Sequence, residues 1–551
     1  MIITEFIKLK NHEGKNIVAC YDYKKENKYP TNFIVIPPSY GESKLDSLSL
    51  AYFLAENNFH VLRYDGTHHI GESDGEIFDF TLLKAEEDLV SVLDFIQKRF
   101  SIKKFGLLAK SLAGRIAIRL ATKDRRIKCV VCIGGIVNLQ KTLKNVYQED
   151  IVDVVMRKKY MDWKFADILG FEISRNFLES AIRNNLHDFA GTIEDFRKIS
   201  IPFTYLLAER DVWVDREDVE TLLVKSNRNI DYFIIPHVLH QINENPKAAT
   251  YAFRKTVVNF KKYLLNKEIK IGEVLEPDTR ETAPQFRLEK QRLKKYELTK
   301  EEEKKFWQKY LTTYILINKS EDYREYLDFM DKLLDSTNNR KEALLDAGCG
   351  FGHFGAWIFS KIKQKNRPID LIYVGVDFLY NALRKVNMQH RKILRKFSPK
   401  DKKDNIKLFY ICEDFELLKN SIAPFKDNVF DKICCSLLIS YIKEPFLLLR
   451  ELNRILKPGG RIVVTSLKPY ADLSQIYRNF IDASTRTLIE IKEARKLLSS
   501  AGKIKQKESE GHYKFFNEEE LKIIMENSRF KEIKIHRSFG DQANVAVATK
   551  E

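Results

Sequence analysis

The first half of the chain contains a serine, an acid and a histidine, each placed after a predicted strand. Ser111 lies at the sharp turn that leads from the apolar run Phe105–Ala109 into a predicted helix. Asp211 and His240 come shortly after two later apolar runs. In this arrangement the histidine takes the proton of the serine hydroxyl, and the acid holds the imidazole in the required tautomer. The pattern predicts a nucleophilic serine.

The turn around Ser111 departs from the usual glycine pattern. Such turns read Gly-x-Ser-x-Gly, whereas Ala109 and Ala113 flank Ser111 here. Alanine is small enough to permit tight packing, so the turn still predicts an exposed hydroxyl. The backbone N–H of Leu112, the next residue, would then face an oxyanion.

Two alternatives remain for the other members of this group. His237 lies three residues before His240 and closer to the strand, so it is a second candidate for the base. Asp211 is also compatible with a helix cap, and His240 with a surface loop.

A second group of residues with the pattern of a ligand site occupies 344–352, in Leu-Leu-Asp-Ala-Gly-Cys-Gly-Phe-Gly. An apolar run leads into an acid and three glycines, which predicts a buried strand, a tight turn and a helix. Glycines let the backbone approach a ligand, and the helix directs its first N–H groups to the same place. The third glycine comes one residue too early for the dinucleotide pattern, which favours S-adenosylmethionine over NAD. The candidate contacts are Asp346, Gly348, Gly350 and Gly352.

Further candidate residues of a nucleotide-binding site follow along the second half of the chain. Asp377 ends an apolar strand and is placed to accept hydrogen bonds from ribose hydroxyls. Asp414 ends the next predicted strand, where its carboxylate is expected to accept the adenine amino group while Phe415 donates its backbone N–H.

Two series of alternating strands and helices must position these residues. Residues 1–265 form one series and residues 341–551 the other, which predicts an α/β fold in two lobes. Residues 266–340 carry many charges of both signs, including the run Glu301–Lys305, and are interpreted as a helical connector. Aromatic residues at helical spacing in its later part predict a lid helix that packs on the second lobe.

The first lobe resembles a known family through several linked motifs. They are Asn58–Asp65, His68–Gly71, Ala109–Leu112, Gly135–Leu139 and Asp211–Val214.

These runs are similar to the acyl-transferases of bacterial luminescence, which are myristoyl-ACP thioesterases of the α/β-hydrolase type, over about residues 5–295. The resemblance implies an α/β-hydrolase sheet with cap helices and Ser111, Asp211 and His240 as the triad. It also implies a second oxyanion donor from Ser39 or Tyr40. The lid between 141 and 198 departs from the family, which leaves the acyl-chain length open.

The second lobe resembles class I S-adenosylmethionine-dependent methyltransferases of the small-molecule type over about residues 340–551. The resemblance rests on the glycine run, the acids that end two strands, the fourth strand at 430–436 and the turn at 456–460. It implies a Rossmann-like seven-stranded sheet with S-adenosyl-L-methionine as the cofactor. Many members of this family have a histidine where Ser440-Tyr441 stands here, so the general base of methyl transfer is unassigned.

Composition limits the partners. The formal net charge is +17, and the densest basic stretch, 384–407, has ten Lys or Arg residues against two acids. With one aromatic residue in it, this face suits an acidic carrier protein or a phosphate better than stacked nucleic-acid bases. A basic face that is only solvated is the alternative. No run approaches the length of a membrane span, and seven scattered cysteines argue against a disulfide framework. We therefore expect a cytoplasmic protein without a metal site.

The sequence thus predicts a bifunctional enzyme. The first lobe would take an acyl group from a thioester of acyl carrier protein or CoA, and the second would methylate a small molecule or lipid-like metabolite. One alternative is a methyltransferase with a catalytically silent first lobe, and another is a basic RNA-binding protein.

Overall fold

The computed structural model describes residues 1–157, 165–225, 230–294, 298–335, 341–362, 370–396, 405–416, 424–482 and 488–551. The chain separates into two compact units. The first comprises Met1–Lys295 and Ala501–Gln506, and the second comprises Tyr296–Ser500 and Lys507–Glu551. The segment 266–340, interpreted above as a connector, is therefore divided between the two units.

The first unit is built on an eight-stranded sheet and a short hairpin. The strands of the sheet are β1 (Ile2–Lys10), β2 (Asn16–Lys24), β3 (Phe33–Ile36), β4 (His60–Tyr64), β5 (Phe105–Lys110), β6 (Ile127–Ile133), β9 (Phe203–Ala208) and β10 (Asp231–Ile235). The hairpin strands are β7 (Phe165–Ile168) and β8 (Phe171–Ser174). The sheet order is β1-β2-β4-β3-β5-β6-β9-β10, with parallel pairing from β4 to β10.

Helices lie between these strands along the chain. They are α1 (Leu48–Glu56), α2 (Leu82–Phe100), α3 (Leu112–Ala121), α4 (Leu139–Tyr147), α5 (Ile151–Met156), α6 (Asn176–Arg183), α7 (Phe189–Lys198), α8 (Arg216–Val224), α9 (Pro246–Leu265) and α10 (Thr279–Leu293). Strands β3, β4 and β9 are buried along their whole length, as expected for parallel strands covered on both faces. Because β5, β9 and β10 run parallel, the loops that follow them meet at one edge of the sheet.

The second unit contains a seven-stranded sheet. Its strands are β11 (Lys341–Ala347), β12 (Asp370–Asp377), β13 (Asn405–Cys412), β14 (Phe430–Cys435), β15 (Leu456–Leu467), β16 (Phe530–Ser538) and β17 (Ala543–Lys550). Its helices are α11 (Lys300–Tyr314), α12 (Glu321–Leu334), α13 (His353–Ile362), α14 (Tyr380–Lys396), α15 (Pro445–Ile455), α16 (Ser474–Asp482), α17 (Leu488–Ser509) and α18 (Glu518–Asn527).

The strand order of the second sheet locates a ligand crevice. The order is β13-β12-β11-β14-β15-β17-β16, with β17 antiparallel to both neighbours. The chain order reverses on either side of β11, and in open α/β sheets ligands bind beyond the carboxyl ends of the strands at such a point. The predicted α/β class is thus confirmed in both units. Among the described helices, none is long and apolar enough to cross a membrane.

Candidate active sites

Ser111 occupies a backbone conformation that few non-glycine residues adopt. Its φ is 45° and its ψ is −123°, a strain of about 1–3 kcal/mol. Two backbone hydrogen bonds hold the turn: the Ser111 N–H donates to the carbonyl of Ile133 at 3.1 Å, and the Ser111 carbonyl accepts from the N–H of Ile136 at 2.9 Å. The turn directs the hydroxyl away from the end of β5, while α3 begins at the next residue.

Two glycines allow close packing of α3 in addition to the small, buried alanines that flank Ser111. A Cβ atom on Gly114 would lie 2.7 Å from the Cα of Gly135, and one on Gly135 would lie 2.2 Å from the Sγ of Cys132. Helix α3 therefore approaches the loop after β6 more closely than any side chain would allow. Gly134 lies beside the imidazole of His240, since its Cβ would be 3.4 Å from Cε1.

The structure brings Ser111, His240 and Asp211 together in one hydrogen-bonded chain. The Oγ of Ser111 lies 2.8 Å from Nε2 of His240, and Nδ1 of His240 lies 2.8 Å from Oδ2 of Asp211. The His240 and Asp211 side chains are 6% and 2% exposed. A carboxylate only accepts hydrogen bonds, so Nδ1 carries the ring proton and Nε2 is left to accept the hydroxyl proton of the serine.

The other oxygen of Asp211 fixes the carboxylate in place. Its Oδ1 accepts the backbone N–H groups of Trp213 at 2.9 Å and Val214 at 3.0 Å. The alternative base, His237, is 84% exposed and lies 3.5 Å from Glu209. It is therefore not part of the Ser111 site.

Two backbone groups remain as candidate oxyanion donors besides Leu112, which opens α3 where the first N–H groups lack an intrahelical acceptor. On the loop after β3, the N–H of Gly41 donates to Nε2 of His69 at 3.1 Å, and that of Glu42 donates to the carbonyl of Ser39 at 3.0 Å. Proline has no N–H, so positions 37 and 38 supply no donor. The groups left on this loop are the N–H groups of Ser39 and Tyr40, the two residues named from the resemblance.

In the second unit, the three alternate glycines form a left-handed loop beside the crevice. The φ angles of Gly348, Gly350 and Gly352 are 72°, 52° and 69°, values that L side chains rarely adopt. A Cβ on Gly352 would lie 2.5 Å from Cγ1 of Val386. Gly348 and Gly350 line the cavity at the carboxyl end of β11, where they allow a ligand to approach the backbone.

Two acids of the same cavity are buried. Asp346 is 2% exposed and accepts the hydroxyl of Tyr373 at 2.6 Å; burial raises its pKa to about 7. Asp377 accepts the N–H of Gly350 at 2.9 Å, and burial raises the pKa of this carboxyl as well. Buried carboxylates beside a glycine loop are hydrogen-bond acceptors that fit a nucleoside ligand carrying positive charge.

Asp414 is held by a lysine that sequence patterns did not identify. Nζ of Lys300, on α11, lies 2.9 Å from Oδ2 of Asp414 and 2.8 Å from Oε2 of Glu416. Burial opposes the charge, but bonds to Glu416 and Asp414 raise the pKa of Lys300. Phe415 between these acids is 6% exposed, and all four residues line the cavity.

Aromatic side chains form another part of the cavity wall. Trp307 and Tyr310 of α11 and Tyr441 after β14 line it, with the rings of Trp307 and Tyr441 4.6 Å apart. His353 also lines the cavity, and burial lowers its pKa to about 4, so its imidazole is neutral near pH 7. These aromatic residues of the predicted lid helix face the cavity as well as packing on each other.

The basic face predicted at 384–407 is described in part. Residues 397–404 lie outside the described residues. In α14 the side chains of Arg384, Lys385, Arg391, Lys392 and Arg395 are exposed.

Comparisons with known proteins separate the two halves in the same way. A family model described as acyl transferase matches residues 2–295, and a model described as methyltransferase domain matches residues 319–534. An acyl transferase of Photobacterium phosphoreum is 31% identical over 218 residues, which are 39% of this chain and 69% of that relative. An acyl transferase of Shewanella woodyi is 30% identical over 235 residues, 42% of this chain and 75% of that relative. A solved structure of Est1E from Butyrivibrio proteoclasticus with ferulic acid bound is 17% identical, covers 46% of this chain and 98% of that chain, and has a TM-score of 0.40.

Proposed function

Because the chain belongs to the acyl transferase family and also carries a methyltransferase domain, we propose that it is a bifunctional enzyme of fatty-acyl transfer and S-adenosylmethionine-dependent methylation. The observation that carries the proposal is the chain of two 2.8 Å contacts from Ser111 through His240 to Asp211. A hydroxyl on a strained turn, an accepting imidazole nitrogen and a buried carboxylate are the parts that acyl transfer through serine requires.

The reaction proposed for the first unit begins with an acyl thioester of acyl carrier protein or CoA. Nε2 of His240 accepts the proton of Ser111 as Oγ bonds to the thioester carbonyl carbon, and the negative charge on the carbonyl oxygen faces the N–H of Leu112. The C–S bond then breaks, the thiol leaves with the proton from His240, and the acyl group stays on Ser111. His240 then takes a proton from water or another hydroxyl acceptor as that oxygen bonds to the acyl carbon, the bond from this carbon to Oγ breaks, and His240 returns the proton to Ser111. Asp211 keeps the Nδ1 proton in place throughout.

In the second unit we assign the glycine loop and the two acids at or just after strand ends, Asp377 and Asp414, to the binding of S-adenosyl-L-methionine. Gly348, Gly350 and Gly352 would admit the ligand to the backbone, and Asp377 would accept its ribose hydroxyls. Bound S-adenosylmethionine supplies an electrophilic methyl group. The residues of the chain contribute alignment of a small-molecule or lipid-like acceptor in the aromatic part of the cavity.

Charge supports an acidic protein partner. The exposed Lys and Arg side chains of α14 would attract an acidic acyl carrier protein, with an affinity that falls as ionic strength rises.

A serine-directed alkyl fluorophosphonate tests the first unit, and calorimetric titration with S-adenosylhomocysteine tests the second. We expect one fluorophosphonate adduct per chain, lost in Ser111→Ala and kept in the control Ser101→Ala. We also expect S-adenosylhomocysteine binding that is weakened in Asp377→Ala and unchanged in Ser111→Ala. Absence of the adduct with intact nucleoside binding would favour the alternative, a methyltransferase with a silent first unit.

A further inference from the structure

We propose that the ion pair between Lys110 and Glu42 is a positioning device, which holds the loop with the second oxyanion donor against the turn that carries Ser111. This inference rests on the proposed acyl transfer of the first unit. Neither residue touches the reacting atoms in the proposed reaction, and both act through the backbone groups next to them.

The loop after β3 is a tight turn with little freedom of its own. The N–H of Glu42 donates to the carbonyl of Ser39 at 3.0 Å, and Gly41 between them has a φ of 72°, which is the geometry of a type II turn. The two remaining donors, the N–H groups of Ser39 and Tyr40, lie inside this turn. Their direction therefore follows the placement of the turn as a whole.

Lys110 is the residue directly before Ser111, and Glu42 is the last residue of the turn. Nζ of Lys110 lies 2.7 Å from Oε2 of Glu42, and the two side chains are only 12% and 14% exposed. A charge pair so shielded from water is screened less than a surface pair, and removing one partner deprives the other, still buried, of its nearest counter-charge. The pair thus joins the turn directly to the last residue of β5.

Other contacts hold the loop from different sides. Nε2 of His69 accepts the N–H of Gly41 at 3.1 Å, and burial lowers the His69 pKa to about 4, so this ring stays neutral and able to accept. Nζ of Lys44 lies 2.7 Å from Oδ2 of Asp65. These contacts attach the loop to the segment after β4. The Lys110–Glu42 pair attaches the loop to the segment that carries the nucleophile. The distance between the loop and the Ser111 turn sets the oxyanion geometry.

The test uses three variants, Lys110→Met, Glu42→Gln and the double variant that combines these two substitutions. Lys24→Met is the control. The control removes a similar lysine from the pair Lys24–Glu56, which also spans 2.7 Å and is 22% and 19% exposed. The measurements are kcat and KM for an acyl thioester, the Ki of an alkyl trifluoromethyl ketone, and hydrogen exchange of the backbone amides at 39–46.

We expect each single variant to lower kcat about 10- to 100-fold, less than the 10²–10³-fold loss when an oxyanion donor is removed outright. KM should stay within about twofold, and the ketone Ki should rise by the same factor as kcat falls, because both report the oxyanion. The double variant should lose no more than either single variant, as expected for two residues that act through one interaction. Lys110→Arg should recover most of the activity.

Exchange at 39–46 should be faster in Lys110→Met and Glu42→Gln than in the wild type or Lys24→Met. Unchanged exchange would overturn the proposal whether or not the wild type hydrolyses thioesters. Losses that multiply in the double variant, or an unchanged ketone Ki in an active enzyme, would overturn it as well. If the wild type has no activity but both variants exchange faster, acyl transfer is refuted, while the role of the Lys110–Glu42 pair in holding the loop is supported.

Discussion

Replacement of Asp211 by asparagine is a close test of the proposed acyl transfer, because the structure predicts which way the new amide must face. Oδ1 of Asp211 accepts two backbone N–H groups, from Trp213 and Val214. In Asp211→Asn the amide oxygen must stay at that position to accept them. The amide nitrogen then faces Nδ1 of His240 at the present 2.8 Å and donates to it.

That donation reverses the tautomer of the imidazole. With Nδ1 accepting, the ring proton moves to Nε2, which then points at the hydroxyl of Ser111 and is unable to take its proton. The known effect of the same reversal in a serine protease is a loss of ~10⁴-fold in kcat, or about 5 kcal/mol of transition-state stabilisation. Size and packing barely change, so the melting temperature should fall little.

The assay is the single-turnover rate of Ser111 acylation by an acyl thioester, followed from pH 6 to 9. Glu209→Gln is the matched control, since Glu209 lies beside the exposed His237 and should leave the rate unchanged. A rate in Asp211→Asn within tenfold of the wild type would refute the proposed role of Asp211. A large loss in Glu209→Gln would point to His237 instead.

Three further predictions concern buried groups. The raised pKa of Asp346, about 7, lies above its unfolded value, so the stability it contributes is present at low pH and is lost as pH rises through 7. Between pH 7 and pH 5 the free energy of unfolding should rise by roughly 2–3 kcal/mol from this group, and pH-dependent melting of Asp346→Asn should lack that rise. Gly352→Ala, whose Cβ would meet a neighbouring side chain at 2.5 Å, should lose S-adenosylhomocysteine binding in calorimetry. Gly459→Ala is the control, because Gly459 also has a positive φ, 72°, but a Cβ there would meet nothing within 4 Å. This variant should keep S-adenosylhomocysteine binding, and its free energy of unfolding should fall by only about 1–2 kcal/mol. Glu289→Ala should lower the unfolding free energy in denaturant titration by about 3 kcal/mol, because Glu289 pairs with the fully buried Arg63.

The fold was accessible from the sequence because buried parallel strands are continuous apolar runs and glycines mark the turns that follow them. The same regularity predicted that Ser111, Asp211 and His240 follow the ends of strands, which are β5, β9 and β10 in the structure. The choice between His240 and His237 needed the structure. The two residues lie three apart on one irregular loop, and only the path of that loop turns one toward Ser111 and leaves the other in solvent.

Contacts between distant residues were not predictable from local patterns. Lys300 lies in a charge-balanced segment that reads as a solvated helix, yet it pairs with Asp414 more than a hundred positions later. The close approach at Gly114 was not predictable from the local pattern, because its partner, Gly135, comes from another loop. Lys110 and Glu42 likewise meet only when β3 and β5 become neighbours in the sheet.

The intact mass of the purified chain after incubation with a medium-to-long-chain acyl thioester tests the central claim most directly. A transient acyl increment is predicted in the wild type and in Glu209→Gln, and none in Ser111→Ala. No increment with any chain length, or one that persists in Ser111→Ala, would contradict acyl transfer through this serine.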